Sequence, residues 1–348
     1  MEYRRLGRTD LRVSAIGLGT MTWGEQNTED EGHEQMDYAL DHGINFFDAA
    51  ELYPIPRSRD TQGRTEEYIG NWFKSRGTRD KVILASKIVG RSELDWFRDD
   101  GGTTDLSRAQ VREAIDKSLT RLQTDYIDLY QVHWPDRAVS GFGSVPTIFK
   151  KTEGPEVPIE ETLEALAEAV KAGKIRHVGL SNESPWGAMT YLRLSESKGL
   201  PRVQSIQNAY SLINRTFETG LAEIALREDL GLLAYSPLGQ GTLTGKYLNG
   251  ARPEGARRTV YNQMQRYEKP GTEEAVAAYV ALAADAGLDP AQMALAFALS
   301  RPFVTSVLVG ATSMEQLKTN IGAAEVDITA ELEDRIDGIH LIRQNPCP

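Results

Sequence analysis

The sequence has almost no cysteine. Cys347, next to the C-terminus, stands alone, so no disulfide can form within the chain and stability must come from packing. No apolar run reaches the length of a membrane span. The opening residues, MEYRRLGRTDLRV, are charged and hold no apolar leader core, which leads us to expect a cytoplasmic protein. Basic residues are in deficit: 39 Lys and Arg against 50 Asp and Glu leave a formal net charge of −11. A face for nucleic acid or an anionic membrane needs the opposite balance, although a local cationic pocket for a phosphate is compatible with it. Histidine is scarce too. The five lie at positions 33, 42, 133, 177 and 340, with no helical or alternating pair beside carboxylates, so a metal-dependent hydrolase is a weak reading and no metal site is expected. The glycine fingerprint of dinucleotide-binding open sheets is missing as well. Gly17 and Gly19 follow the first strand, and Gly239 and Gly241 occur later, but neither pair has its third glycine. There is no solenoid repeat, no low-complexity tract and no heptad seam.

What is present is ordinary enzyme material. Of the 348 residues 40% are hydrophobic and 26% charged, enough for one large core, and we expect a single domain over 1–348. Short apolar strands are predicted at 15–20, 45–48, 82–87, 127–133, 175–181, 205–208, 232–235 and 306–308. They read as continuous apolar runs, the pattern of strands covered on both faces. Between them lie amphipathic helices. Val111, Ala114, Ile115, Ser118, Leu119 and Leu122 share one face, as do Leu163, Leu166, Ala167 and Val170, and Tyr68, Ile69, Trp72 and Phe73. Ser107 with Gln110 reads as a capping box, and Asp289 before Pro290 as a helix start. Strands separated by helices pair in parallel, as a closed barrel or an open doubly wound sheet. The count of eight and the missing fingerprint favour an α/β fold: a closed (β/α)8 barrel with an N-terminal hairpin turning at 6–11. Two long insertions, 136–158 and 238–271, follow predicted strands. In a barrel they lie on the C-terminal face, where active sites form.

Three ionisable residues end consecutive strands: Asp48, Lys87 and His133, each about one strand–helix unit from the next. Around a barrel rim they are neighbours, and Tyr53, five residues past Asp48, reaches the same mouth. A free tyrosine has a pKa of about 10, which a nearby ammonium lowers. Lys87 would supply that cation, Asp48 would hold it charged, and His133 would orient a substrate oxygen. The set is an acid poised to protonate a carbonyl oxygen as hydride reaches the carbon. Singly, each residue has an ordinary use as cap, surface charge or packing. Polar groups at three successive apolar strand ends are costly without a shared one.

In order along the chain stand GLGT at 17–20, GINFFDAAELY at 43–53, LASK at 84–87 and RLQTDYIDLYQVH at 121–133. GKIRHVGLSN at 173–182, IQN at 206–208, and GAT at 310–312 with Gln316 and Asn320 follow. These seven motifs, spread from near Leu6 to about Val326, resemble those of the aldo-keto reductases, most closely the Tas-like bacterial members. The resemblance implies an NADP(H)-dependent reductase of the alcohol:NADP+ oxidoreductase type, acting on an aldehyde or ketone. Asp48, Tyr53, Lys87 and His133 then match the catalytic tetrad. It also implies cofactor contacts. Gly19, Thr20, Met21 and Asp48 would line the mouth. Ser181, Asn182 and Gln207 would hold the nicotinamide carboxamide, and Tyr235 would stack on the ring. Ser236, Pro237, Leu238 and Gly241 would meet the pyrophosphate. Lys246 and Arg257 would fold over it, and Gly310, Thr312, Gln316 and Asn320 would meet the adenosine end.

Some of these residues have a second reading. Ser181-Asn182 would also cap the next helix, and Ser313 with Gln316 is a capping box in its own right. One departure bears on the cofactor. Many members carry Lys and Arg where this chain has Gly310 and Gln316, and Glu where it has Thr319, so charged partners for a 2′-phosphate are missing. NADPH stays preferred, because the related branch uses a similar Gln, with NADH as the competing cofactor. The expected substrate pocket is Trp23, Tyr53, His133 and Trp134, with insertion residues near Phe142 and Phe149. The partner expected is a small carbonyl compound. The competing function, also from the resemblance, is a slow-turnover NADP(H)-binding redox sensor like the barrels that serve as ion-channel subunits.

Overall fold

The alternation of strand and helix closes on itself. The computed structural model describes residues 1–139, 148–149, 153–261 and 265–347. A short antiparallel hairpin, β1 (Tyr3–Arg5) and β2 (Arg12–Ser14), comes first, with Tyr3 opposite Ser14. The next strands are β3 (Ile16–Gly19), β4 (Phe46–Asp48), β5 (Ile83–Ile88) and β6 (Ile127–Val132). They are followed by β7 (Ile175–Ser181), β8 (Val203–Ala209), β9 (Gly231–Tyr235) and β10 (Val304–Val309). Each is parallel to the next, and β10 pairs with β3 to close the ring. This is the eight-stranded barrel that the strand count favoured over an open sheet. No helix among the described residues is long and apolar enough to cross a membrane.

Helices α1 (Glu29–Asp41), α2 (Arg64–Arg76), α3 (Arg108–Leu122), α4 (Ile159–Lys171), α5 (Pro185–Lys198) and α6 (Leu221–Arg227) link successive strands from β3 to β9. Between β9 and β10 run α7 (Arg257–Tyr261), α8 (Thr272–Asp285) and α9 (Pro290–Leu299). The chain ends with α10 (Met314–Gly322) and α11 (Ala330–Ile342). Helix starts follow local chemistry. Thr28 and Glu31 form a full capping box on α1, and Asp289 accepts from Gln292 N before Pro290. The box expected at Ser107 does not form. Ser107 precedes α3, but Gln110 Oε1 is drawn away to Arg98 Nε at 3.0 Å and Asp105 N at 2.9 Å. Ser181-Asn182 does not cap α5 either, because Ser184 does so through Gly187 N.

The strands look uniformly apolar because they face two cores. Outward residues such as Phe47, Leu84, Tyr130, Val178 and Leu232 pack against the helices. Inward residues Phe46, Ala85, Leu129, Leu233 and Leu308 form a separate floor inside the barrel, plugged from below by Leu6 and Val13 of the hairpin region. Gly17 is explained here by packing rather than by phosphate. A Cβ at this position would sit 2.8 Å from Leu308 and 2.9 Å from Phe46 in that floor. Side chains repeat every two residues along a strand. The inward positions just above the floor are therefore Asp48 on β4, Lys87 on β5 and Gln131 on β6. A polar layer rests directly on an apolar one.

Candidate active site

The polar layer is knit by hydrogen bonds. Lys87, with no exposed surface, uses all three ammonium protons: Asp48 Oδ2 accepts at 2.6 Å, Ala49 O at 2.8 Å and Tyr53 Oη at 3.3 Å. Because the phenol oxygen is accepting, its own proton is free to turn elsewhere. On the other carboxylate oxygen, Asp48 Oδ1 accepts from Gln207 Nε2 at 2.8 Å and Gln131 Nε2 at 3.2 Å. Thr20 Oγ1 donates to Asp48 O at 2.9 Å. The His133 ring stands edge-on to Tyr53 with centroids 5.9 Å apart, and its buried Nδ1 has no partner among the described residues.

The strand ends differ slightly from expectation. Asp48 is the last residue of β4, Lys87 the last but one of β5, and His133 lies one past the end of β6. The parity of β5 and β6, not their exact termini, is what brings the group together.

Electrostatics correct one expectation. Burial pushes the Tyr53 phenol above its ordinary pKa; Lys87 pulls it back only in part, and Asp48 adds to the rise. A nearby ammonium alone would lower the phenol's pKa, but desolvation is the larger effect. Tyr53 is therefore a neutral phenol at ordinary pH, the form a proton donor needs. Burial pulls Lys87 down, but Asp48 and then Tyr53 outweigh it and hold the ammonium above its usual value. Burial, joined by Lys87, keeps His133 well below the usual imidazole value, so the ring is neutral.

The expected cofactor residues fall near or beyond the carboxyl ends of barrel strands, but several are spent on one another. Ser181 Oγ donates to Gln207 O at 2.8 Å, and Asn182 Nδ2 to His133 O at 2.8 Å. Tyr235 Oη donates to Asn182 Oδ1 at 2.7 Å. Asn182 and Ser236 both have positive φ, 53° and 52°, at the ends of β7 and β9. Backbone strain in non-glycine residues gathers at binding sites.

The fit to a phosphate-bearing cofactor rests on two cations. Arg257 and Lys246 are both half-buried, and that burial pulls each below its ordinary pKa. No carboxylate among the described residues pairs with either. Among the described residues, Arg257 Nη2 donates to Met21 Sδ at 4.0 Å. Gly241, with φ 89°, lets Lys246 approach, since a Cβ there would lie 3.0 Å from Nζ. Pro237 and Leu238 lie in the same turn after β9, between Ser236 and Gly241. Half-buried cations with no carboxylate partner among the described residues suit an anionic ligand. Beyond β10, the Gln316 side chain accepts from Thr312 N and Oγ1, and Asn320 Nδ2 donates to Gly310 O. Gln316 thus closes the turn at Thr312 while Ser313 caps α10, so only half of the expected box forms.

One pocket expectation, Trp23, is not met. Trp23 is fully buried against α1, with Gly32 against its ring and Nε1 donating to Gln35, so it belongs to the main core. Phe149 is 84% exposed, and Phe142 lies outside the described residues. The apolar wall beside Tyr53 is instead Ala50, Leu52, Val89, Phe97 and Trp134, with Met21, Ile55, Leu94 and Trp96 partly buried against it. Sequence reasoning named Met21 and Trp134 but missed Val89, Leu94, Trp96 and Phe97, because 89–107 carries no periodic signal. It also missed Gln131 as a partner of Asp48. A polar residue two before His133 in an apolar strand was the available sign.

A model of the aldo/keto reductase family matches residues 15–340. Over 350 aligned positions the chain is 51% identical to the protein Tas of Escherichia coli K12, covering 100% of both. It is 38% identical to an aldo-keto reductase of Babesia bovis, over 76% of this chain and 98% of that one. It is 34% identical to the uncharacterized oxidoreductase YrpG of Bacillus subtilis, over 95% and 94%. The chain belongs to the aldo/keto reductase family, oxidoreductases that act on carbonyl compounds and generally use NADP(H).

Proposed function

We propose that the protein reduces aldehydes or ketones to alcohols with NADPH, with Tyr53 as the proton donor. The observation that carries this is the triple engagement of Lys87 with Asp48, Ala49 and Tyr53. When bound, the nicotinamide supplies the hydride that adds to the carbonyl carbon. Tyr53 gives its proton to the carbonyl oxygen as negative charge develops there, and the phenolate left behind faces the Lys87 ammonium. Asp48 keeps that ammonium in place. Neutral His133 offers a ring N–H to the same oxygen and orients it. Solvent returns the proton to Tyr53 after the alcohol leaves. Arg257 and Lys246 would hold the phosphates, and Gln207, Asn182 and Tyr235 would hold the nicotinamide. The apolar wall of Leu52, Trp96 and Trp134 suits a carbonyl compound with some apolar surface.

The test is steady-state oxidation of NADPH and NADH against a panel of aldehydes and ketones, for wild type and Tyr53→Phe. Turnover favouring NADPH is expected. Loss of the proton donor should lower kcat by about 10²–10⁴-fold with NADPH affinity little changed. Near-native kcat in Tyr53→Phe would remove Tyr53 from the mechanism, and a clear preference for NADH would overturn the cofactor. Fast single turnover with negligible steady state would make the protein a redox-sensing module.

A further inference from the structure

Below the apolar wall lies an ion pair that water does not reach. Glu51 and Arg98 have side chains each 1% exposed, joined by two bonds of 2.9 and 3.0 Å. A buried pair is weak evidence for stability, because apolar replacements of similar shape often do as well. Its position suggests another use. Glu51 is three residues past Asp48 and two before Tyr53, in the loop that presents the phenol. Its Oε1 also accepts from Val89 N at 2.7 Å, two residues past Lys87. Its backbone N–H donates to Lys87 O at 3.2 Å, and Gly63 N donates to Tyr53 O at 2.9 Å to close the loop. One carboxylate thus ties the Tyr53 loop to the strand end that carries Lys87. Arg98 comes from the stretch between β5 and α3 that also contributes Leu94, Trp96 and Phe97 to the pocket wall.

We propose that Glu51, clamped by Arg98, is a positioning residue that sets the Lys87–Tyr53 separation and fixes the pocket wall to the same anchor. The inference rests on the reading of Tyr53 as the acid. Burial, Lys87, Asp48 and Tyr235 move Tyr53's acidity, whereas Glu51 meets the site through hydrogen bonds to the backbone that carries Lys87. The clamp therefore acts through geometry. A displacement of order 1 Å at a reacting group costs about 10²-fold in rate.

The test compares Glu51→Gln, Arg98→Met and the double variant, with Tyr53→Phe alongside and activity counted per NADPH-binding site. In Glu51→Gln, kcat should fall by about 10- to 100-fold, KM for the aldehyde should change less, and NADPH affinity should hold. The deuterium isotope effect on kcat from 4-deuterated NADPH should rise, while the alkaline limb of the pH profile stays in place. The double variant, free of both charges, should regain thermal stability but not kcat. Recovery of kcat together with stability would mean the pair only balances charge, and would overturn the proposal. Unchanged kcat in Glu51→Gln would overturn it as well. If Tyr53→Phe still loses turnover, the Tyr53 reading survives that result; if it does not, both fall. Should Glu51→Gln fail to fold, Arg98→Lys keeps the charge without the fork. It should lose kcat in the same way, and an unchanged kcat would again overturn the clamp.

Discussion

Replacing Asp48 with Asn would remove the carboxylate paired with a fully buried ammonium. Lys87 would lose its counter-charge and keep only neutral oxygens as partners, Ala49 O and Tyr53 Oη among them. Removing one member of a buried ion pair costs about 3–5 kcal/mol. At roughly 2.1 cal/mol/K per residue, unfolding 348 residues carries an entropy of about 0.7 kcal/mol/K, so the thermal midpoint should drop by about 4–7 °C. The loss should depend on pH. In the wild type Lys87 is held above its ordinary 10.5, so its contribution is complete below 10.5 and fades as pH climbs through the raised value. Without Asp48, burial dominates and the pKa falls below 10.5. The variant then gains stability as pH rises toward 10.5, and the gap to wild type narrows. Urea unfolding of the cofactor-free protein at pH 7 and pH 10 reads both effects. Asp48→Asn/Lys87→Met should recover most of the stability and none of the turnover. A loss under about 1 kcal/mol at pH 7, or a gap independent of pH, would refute the electrostatic account.

Further outcomes follow from the same geometry. Burial holds His133 below the ordinary 6.5, so its neutral form stabilises the fold above pH 6.5 and that contribution is lost as pH falls toward the lowered value. Between those limits wild type should lose up to about 1.4 kcal/mol per pH unit more than His133→Asn in urea titrations, and parallel slopes would remove His133 from the pH response. Arg257→Met should weaken NADPH binding by about 10-fold or more in fluorescence titration without lowering cofactor-free stability, because no carboxylate among the described residues offsets the guanidinium's partial burial. Unchanged affinity would take Arg257 out of the phosphate site. Gly17→Ala should cost about 1–3 kcal/mol in urea, since its methyl meets Leu308 and Phe46 in the barrel floor; a neutral effect would mean the floor has room to give.

How much of the site was legible varies by residue. Asp48 and Lys87 stood out as ionisable groups in apolar strands, and Tyr53 followed from its spacing. Gln207 was legible as a site residue, but its bond to Asp48 was not, because 159 residues separate them. Trp23 was misplaced because an aromatic after a strand looks the same whether it faces the mouth or, as here, α1. Glu51 and Arg98 were invisible as a pair. Their segments lack periodicity, and only the barrel brings them together.

The sequence by itself determined the element order, the closure into eight strands and the ring of polar groups, because strand parity and helix spacing are local and repeat along the chain. The tertiary structure decided which of those groups share a proton and what their charge states are. That depends on desolvation and on contacts across the barrel. Lys87 is an ammonium because Asp48 faces it across the β4–β5 boundary, and Tyr53 is a neutral phenol because burial outweighs the cation beside it.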